Sequence, residues 1–160
     1  MLTDTPQLYV AESAAAYAKR PRVVADASVV VALLFDEQDR DEALVRLQGR
    51  VVAAPHLLDL EFANAALKKM RRERLDAFRV GETLQMLDEL VADRHPVPAA
   101  AALELAQRYG LTPYDAAYLW LAERLEAPLV TFDARLGEAA RRHLEGGPAT
   151  AAALGPGGST

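Results

Sequence analysis

The chain has 160 residues, of which 51% are hydrophobic and 26% charged, the composition of a single soluble globular domain. It has no cysteine, which excludes a disulfide framework, a thiolate zinc site and a cysteine nucleophile, and no apolar run approaches the roughly 20 residues of a membrane-spanning helix. The formal net charge of −5 argues weakly against a general nucleic-acid coat, although bound divalent cations would offset much of it.

The first 21 residues are polar and alanine-rich, and we interpret them as an N-terminal extension with a helical stretch around residues 12–19. The opening letters MLTDTPQ lack the basic start and the apolar centre of a secretory signal. We therefore expect a cytoplasmic protein that makes no membrane contact.

From residue 22 onwards, short apolar segments alternate with helical patterns. The predicted strands are residues 22–25, 51–53 and 128–132. The predicted helices are residues 27–35, 39–48, 57–74, 76–91, 99–109, 113–125 and 134–143. This alternation predicts an α/β domain over residues 22–145, with a parallel sheet of four or five strands and helices on both faces. Residues 146–160, rich in Gly, Pro and Ala, are interpreted as a flexible tail.

Two of the predicted strands deliver an aspartate at their exit. The segments VVADAS and LVTFDA place Asp26 and Asp133 directly before a predicted helix. Ligands of open α/β sheets bind beyond the carboxyl ends of the strands, so both side chains are expected at one edge of the sheet. Each aspartate could instead serve only as the N-cap of its helix.

Two further acids lie on predicted helices. Asp115 follows Thr112 and Pro113 in a near capping box, a role that can coexist with metal binding. Glu61 has apolar neighbours in LLDLEFANAALKK, and it could be partly buried or part of a solvent-facing stripe. Asp59 is a rival acid two residues away on another face of that helix.

Convergence of these acids would have a chemical consequence. Repulsion among four carboxylates must be relieved by protons or cations. Oxygen ligands without Cys or a His cluster suit Mg²⁺ or Mn²⁺ rather than zinc. Such a site can activate water for attack on a phosphodiester and stabilise the leaving oxygen.

Three stretches carry a family resemblance: VVADAS, LEFANAALK and, most specifically, LTPYDAAYLWLAERLEAPLVTFDARL. From about residue 23 to residue 144 the chain resembles the PIN-domain ribonucleases, in particular the VapC-type toxins of bacterial toxin–antitoxin pairs. The resemblance implies a magnesium-dependent endoribonuclease that is commonly a homodimer and is held inactive by a cognate VapB-like antitoxin.

The resemblance also assigns site residues. It implies that the four metal-binding and catalytic acids are Asp26, Glu61, Asp115 and Asp133. It further implies supporting roles for Ser28 and Thr131, whose alternatives are a helix cap and a strand residue, and for Asn64, whose alternative is a solvated polar residue.

The densest basic run, KKMRRER, follows Glu61 on the same predicted helix. It is either a solvated helix end or an RNA-backbone contact. The second interpretation predicts that Lys68 and Arg72, on the stripe of Glu61, matter more for RNA than Lys69. Arg135 is a weaker RNA-binding candidate.

Two features depart from the family pattern. An unusually long stretch of 25 residues precedes Asp26, and GGPATAAAL is a poor candidate for the final strand that normally follows the last helix. We therefore expect a sheet that lacks an edge strand. Two alternatives remain open. A phosphoacceptor receiver domain also has an acidic Mg²⁺ pocket, but its late strand carries a lysine and no lysine follows Lys69 here. The other alternative is a catalytically silent PIN-like binding protein.

Overall fold

A computed structural model describes residues 20–146 of the chain. The predicted helical stretch around residues 12–19, nearly all of the N-terminal extension and nearly all of the C-terminal tail lie outside the described residues. Within the described residues, no helix is long and apolar enough to cross a membrane.

The sheet has four parallel strands in the order β3–β2–β1–β4. The strands are β1 (Arg22–Ala25), β2 (Val51–Pro55), β3 (Val91–His95) and β4 (Leu129–Val130). Successive residues of a strand point to opposite faces of the sheet. Val23 and Val24 are nevertheless both fully buried, so both faces of the sheet are covered. The predicted α/β fold with a parallel sheet of four or five strands is confirmed, and residues 20–146 contain four of them.

Seven α-helices within residues 20–146 accompany this sheet. They are α1 (Ala27–Leu34), α2 (Arg40–Leu47), α3 (Leu57–Glu73), α4 (Ala77–Leu90), α5 (Ala99–Tyr109), α6 (Pro113–Leu125) and α7 (Ala134–Ala140), and a π-helical turn (Arg141–Glu145) continues α7. Helix α6 packs against β1, β2, β4 and α5, which makes it the most deeply buried helix. Its start and the start of α3 carry Asp115 and Glu61 towards the edge of the sheet where β1 and β4 end.

Strand β3 was missed in the sequence, where residue 91 was assigned to the preceding helix and residues 92–95 to no element. The letters VADRH contain one well-buried apolar side chain, Val91, because β3 lies at the edge of the sheet. Its polar side chains make ion pairs instead: Asp93 with Arg22, and Arg94 with Asp59. A strand built on ion pairs has no hydrophobic alternation for a sequence pattern to detect.

The other element boundaries differ by a few residues. Strand β2 runs on to Pro55, whereas β4 comprises two residues instead of the five predicted. β4 ends early because the side chain of Thr131 turns towards Asp26, and the backbone then enters the N-cap of α7 at Asp133.

Candidate active site

Asp26 is buried at the exit of β1, and only 6% of its surface is exposed. Its Oδ1 accepts hydrogen bonds from Ser28 Oγ at 2.6 Å and from the backbone N–H of Val29 at 3.3 Å, and its Oδ2 accepts one from Thr131 Oγ1 at 2.7 Å. Asp26 is therefore the N-cap of α1, as the alternative interpretation required, and both of its oxygens are held in a fixed direction.

The two hydroxyl groups also tie Asp26 to the loop after β4. Ser28 Oγ accepts the backbone N–H of Phe132 at 2.9 Å, and Thr131 Oγ1 accepts the backbone N–H of Asp133 at the same distance. Each hydroxyl group thus accepts a hydrogen bond from a backbone N–H and donates a hydrogen bond to the Asp26 carboxylate. The hydroxyls of Ser28 and Thr131 bridge the ends of β1 and β4.

Asp133 is exposed and is the N-cap of α7, where its Oδ1 accepts the backbone N–H of Leu136 at 2.8 Å. Asp115 is half-buried in the first turn of α6. Thr112 Oγ1 accepts the backbone N–H of Asp115 at 3.1 Å and donates to its Oδ2 at 2.9 Å. The Thr112 cap expected from the sequence is present, and the outer face of Asp115 stays open to solvent.

Glu61 is half-buried on the second turn of α3. Its Oε2 accepts a hydrogen bond from the hydroxyl of Tyr118, on α6, at 2.5 Å. Tyr118 was missed in the sequence, because a tyrosine in the apolar run AAYLWLA is typical of a core residue. Its position three residues after Asp115, one turn along the same helix, is the local signal that could have found it.

The charges of the four acids act on one another. Burial raises the pKa of Glu61, the Tyr118 hydrogen bond lowers it, and the charges of Asp115 and Asp26 raise it further. Burial likewise raises the pKa of Asp26; its hydrogen bonds partly offset this effect, and the charge of Asp133 adds to it. The electrostatic coupling therefore runs from Asp133 through Asp26 and Glu61 to Asp115, so the chain brings the four predicted acids into one neighbourhood.

The donor chemistry of this neighbourhood fits a hard divalent cation. All four side chains offer carboxylate oxygens, and the donors that contact them are hydroxyl and backbone N–H groups, which do not neutralise their charge. Within residues 20–146, no three acidic or histidine side chains are already close enough to form a metal-binding group. The four acids therefore suit a divalent cation because they offer oxygen ligands and negative charge. Their carboxylates are not yet clustered as closely as metal ligands are.

Three of the supporting and basic candidates lie on the surface of α3. Asn64, Lys68 and Arg72 are all exposed, in keeping with the predicted stripe. Lys69 is engaged elsewhere, since its Nζ lies 2.7 Å from Glu37 and 3.4 Å from Glu73. Arg135 is exposed at the start of α7 and donates to the carbonyl of Gly110 at 2.6 Å.

Asp59, the rival acid on α3, forms an ion pair with Arg94 instead of joining the four acids. Nε of Arg94 lies 2.9 and 3.0 Å from the two oxygens of Asp59, and Nη2 of Arg94 lies 2.7 Å from Asp88.

A large groove runs beside β4 and is separate from the four acids. Its lining includes Thr131 and Phe132 but none of the four acids.

Comparison with known proteins places these features in a family. The PIN domain family matches residues 23–142. VapC ribonuclease Mb0985 of Mycobacterium bovis is 34% identical over 116 residues, covering 72% of this chain and 89% of that protein. Ribonuclease VapC3 of Pyrobaculum aerophilum is 35% identical over 127 residues, covering 73% of this chain and 93% of that protein.

A solved structure agrees with these sequence matches. The crystal structure of PAE2754 from Pyrobaculum aerophilum superposes with a TM-score of 0.61 at 28% identity, over 74% of this chain and 79% of the other. The region matched by the family contains all four acids, both bridging hydroxyls and Tyr118.

Proposed function

The chain belongs to the PIN-domain family, and from this membership we propose that it is a metal-dependent endoribonuclease, the toxin of a type II toxin–antitoxin pair. The observation that carries the proposal is the neighbourhood of four carboxylates, in which burial and neighbouring charges raise the pKa of Asp26 and Glu61. Their side-chain and N-cap hydrogen bonds within residues 20–146 come from hydroxyl and backbone N–H groups. The similarity of the chain to proteins named VapC ribonuclease suggests the substrate class, which is RNA. The family match also removes the receiver-domain alternative.

In this proposal Asp26, Glu61, Asp115 and Asp133 would hold Mg²⁺ or Mn²⁺. When bound, the metal would supply an activated water and stabilise the leaving oxygen of the phosphodiester. The chain itself fixes the direction of the carboxylates. The hydroxyls of Ser28 and Thr131 orient Asp26, and the first turn of α6 orients Asp115.

The RNA would approach along α3. Lys68 and Arg72 are exposed on the helix that carries Glu61, and within residues 20–146 neither has an ion pair of the kind that engages Lys69. Exposed cations beside a cluster of acids can bind the phosphates that flank the scissile bond. Arg135 is a second candidate contact, and Asn64 lies between Glu61 and Lys68 on the same face of α3.

The proposed partners are RNA, a VapB-like antitoxin and a second copy of the chain, in the cytoplasm. Apolar side chains stand exposed on α3 and α4, with Leu60 77% and Phe78 71% exposed. Exposed apolar residues of this size are typical of protein-binding surfaces when they lie together. We propose Leu60 and Phe78 as candidate contacts for a protein partner.

The test is cleavage of a mixed RNA pool with Mg²⁺, with Mn²⁺ and with EDTA. We expect metal-dependent cleavage that falls by more than about 100-fold in Asp26→Asn, since even changes outside the ligand shell of metalloenzymes cost 10- to 100-fold. Asp76→Asn is the matched control, because Asp76 is also an aspartate N-cap, accepting the N–H of Phe78, but lies outside the four acids.

Cleavage that survives both EDTA and Asp26→Asn would contradict the proposal. Equal activity of Asp26→Asn and Asp76→Asn would show that Asp26 is a helix cap and nothing more. Absence of metal-dependent cleavage in the wild-type protein, freed of any bound antitoxin, would favour the catalytically silent PIN-like protein.

A further inference from the structure

We propose that Tyr118 is a positioning residue for the metal site, whose hydroxyl holds the Glu61 carboxylate in the orientation that receives the cation. This inference rests on the proposed function, because it assumes that Glu61 binds a metal. A residue of the buried core would then act on the site through a single hydroxyl group.

The position of Tyr118 supports this role. Only 1% of the residue is exposed, and it belongs to the hydrophobic core that α6 forms with the sheet. Its hydroxyl is the one polar atom of the side chain, and it donates to Glu61 Oε2 across the interface of α6 and α3. A ring fixed by the core thus holds a carboxylate on another helix.

Glu61 needs such a partner more than the other three acids do. Asp26 and Asp133 accept a backbone N–H of their own helix, and Asp115 is held by Thr112 three residues away. These short side chains are fixed locally. Glu61 has one more rotatable bond, and the contact that holds it comes from a residue 57 positions away in sequence.

The chemistry of the donor also suits a metal site. The group that contacts Glu61 is an uncharged phenol hydroxyl, which donates one hydrogen bond to Oε2. A lysine or arginine at this place would neutralise one acid and compete with a cation. A hydroxyl satisfies one carboxylate oxygen and leaves the negative charge of the cluster intact.

The test compares two tyrosine-to-phenylalanine variants that each lose one hydroxyl. Tyr118→Phe removes the donor to Glu61. Tyr109→Phe removes a hydroxyl that contacts His143 Nδ1 at 2.8 Å instead. Binding of Mn²⁺ without RNA is measured by calorimetry, and cleavage is measured separately. We expect the Mn²⁺ dissociation constant to rise about 10-fold in Tyr118→Phe and to be unchanged in Tyr109→Phe.

A double-mutant cycle separates positioning from a general structural role. If Tyr118 acts through Glu61, Tyr118→Phe should weaken Mn²⁺ binding no further once Glu61→Gln is present. An equal loss in both backgrounds, or wild-type Mn²⁺ affinity in Tyr118→Phe, overturns the inference while leaving the proposed function in place. A wild-type protein that binds no Mn²⁺ and cleaves no RNA overturns both.

Discussion

Two groups of acids differ in the donors that contact them within residues 20–146. In the Arg94 group, the guanidinium of Arg94 contacts both oxygens of Asp59 and one oxygen of Asp88, and it also donates to the carbonyl of Val91 at 2.8 Å. In the four-acid group (Asp26, Glu61, Asp115 and Asp133), the donors are neutral hydroxyl and backbone N–H groups.

The contrast is sharpest on α3, where Asp59 and Glu61 are two residues apart. Asp59 has its counter-charge built into the fold, so its role is to join α3 to β3. Glu61 is oriented by a hydroxyl but not neutralised, and burial and neighbouring charges raise its pKa. A buried, oriented carboxylate with no built-in counter-charge is what the proposed metal site requires of Glu61.

The largest expected effect is the loss of the built-in cation. Arg94→Ala leaves Asp59 and Asp88 facing each other and frees the carbonyl of Val91, so we expect the free energy of unfolding to fall by about 2 kcal/mol. Urea unfolding measures this. The control is Arg108→Ala, which removes an exposed pair with Glu104 on one helix and should cost less than about 0.5 kcal/mol. Equal losses in the two variants would refute the structural role of the Arg94 group.

The bridging hydroxyls should matter next. Thr131→Val removes the donor to Asp26 and the acceptor for the N–H of Asp133, while preserving the shape of the side chain. We expect about 1 kcal/mol lower stability and about 10-fold slower cleavage. Thr131→Ser restores the hydroxyl and should recover most of both. Failure of the serine variant to recover cleavage would indicate that the methyl group, rather than the hydrogen bonds, is what the site requires.

The free energy of unfolding of the metal-free protein should depend on pH through Asp26, a member of the four-acid group. The raised pKa of Asp26 means that the folded state binds this proton more tightly than the unfolded chain. The penalty for its charge is therefore full above the folded pKa and disappears as pH falls towards the unfolded value of about 4. We expect Asp26→Asn to be the more stable protein at pH 7 and to lose that advantage as pH falls. The difference in free energy of unfolding, measured from pH 7 to pH 5, would contradict this if it grew on acidification.

The smallest effect concerns the basic run on α3. Lys68→Ala should raise the KM for RNA two- to threefold with unchanged kcat, because one exposed phosphate contact is lost. Lys69→Ala should leave KM unchanged, since Lys69 is engaged by Glu37 and Glu73. Kinetics at two salt concentrations test this, and a larger KM effect for Lys69 would reverse the assignment.

The sequence predicted the parts of this molecule that depend on local patterns. Valine-rich β1, the aspartates that follow β1 and β4, and the Thr112 cap are all encoded within a few residues. Strand β3 and the pairing of Tyr118 with Glu61 were missed, because both depend on contacts between residues far apart in the chain. Only the contacts of α3 with β3 and α6 show that Asp59 is neutralised by Arg94 and that Glu61 is oriented by Tyr118.

The most direct test of this account is the effect of Mg²⁺ on the melting temperature of three proteins without RNA. We expect Mg²⁺ to stabilise the wild-type protein and Asp59→Asn by the same increment, although Asp59→Asn starts from a lower melting temperature, and to give little or no increment in Asp26→Asn. Equal Mg²⁺ stabilisation of all three proteins, or of none, would contradict the claim that the four-acid group is held in place for a cation.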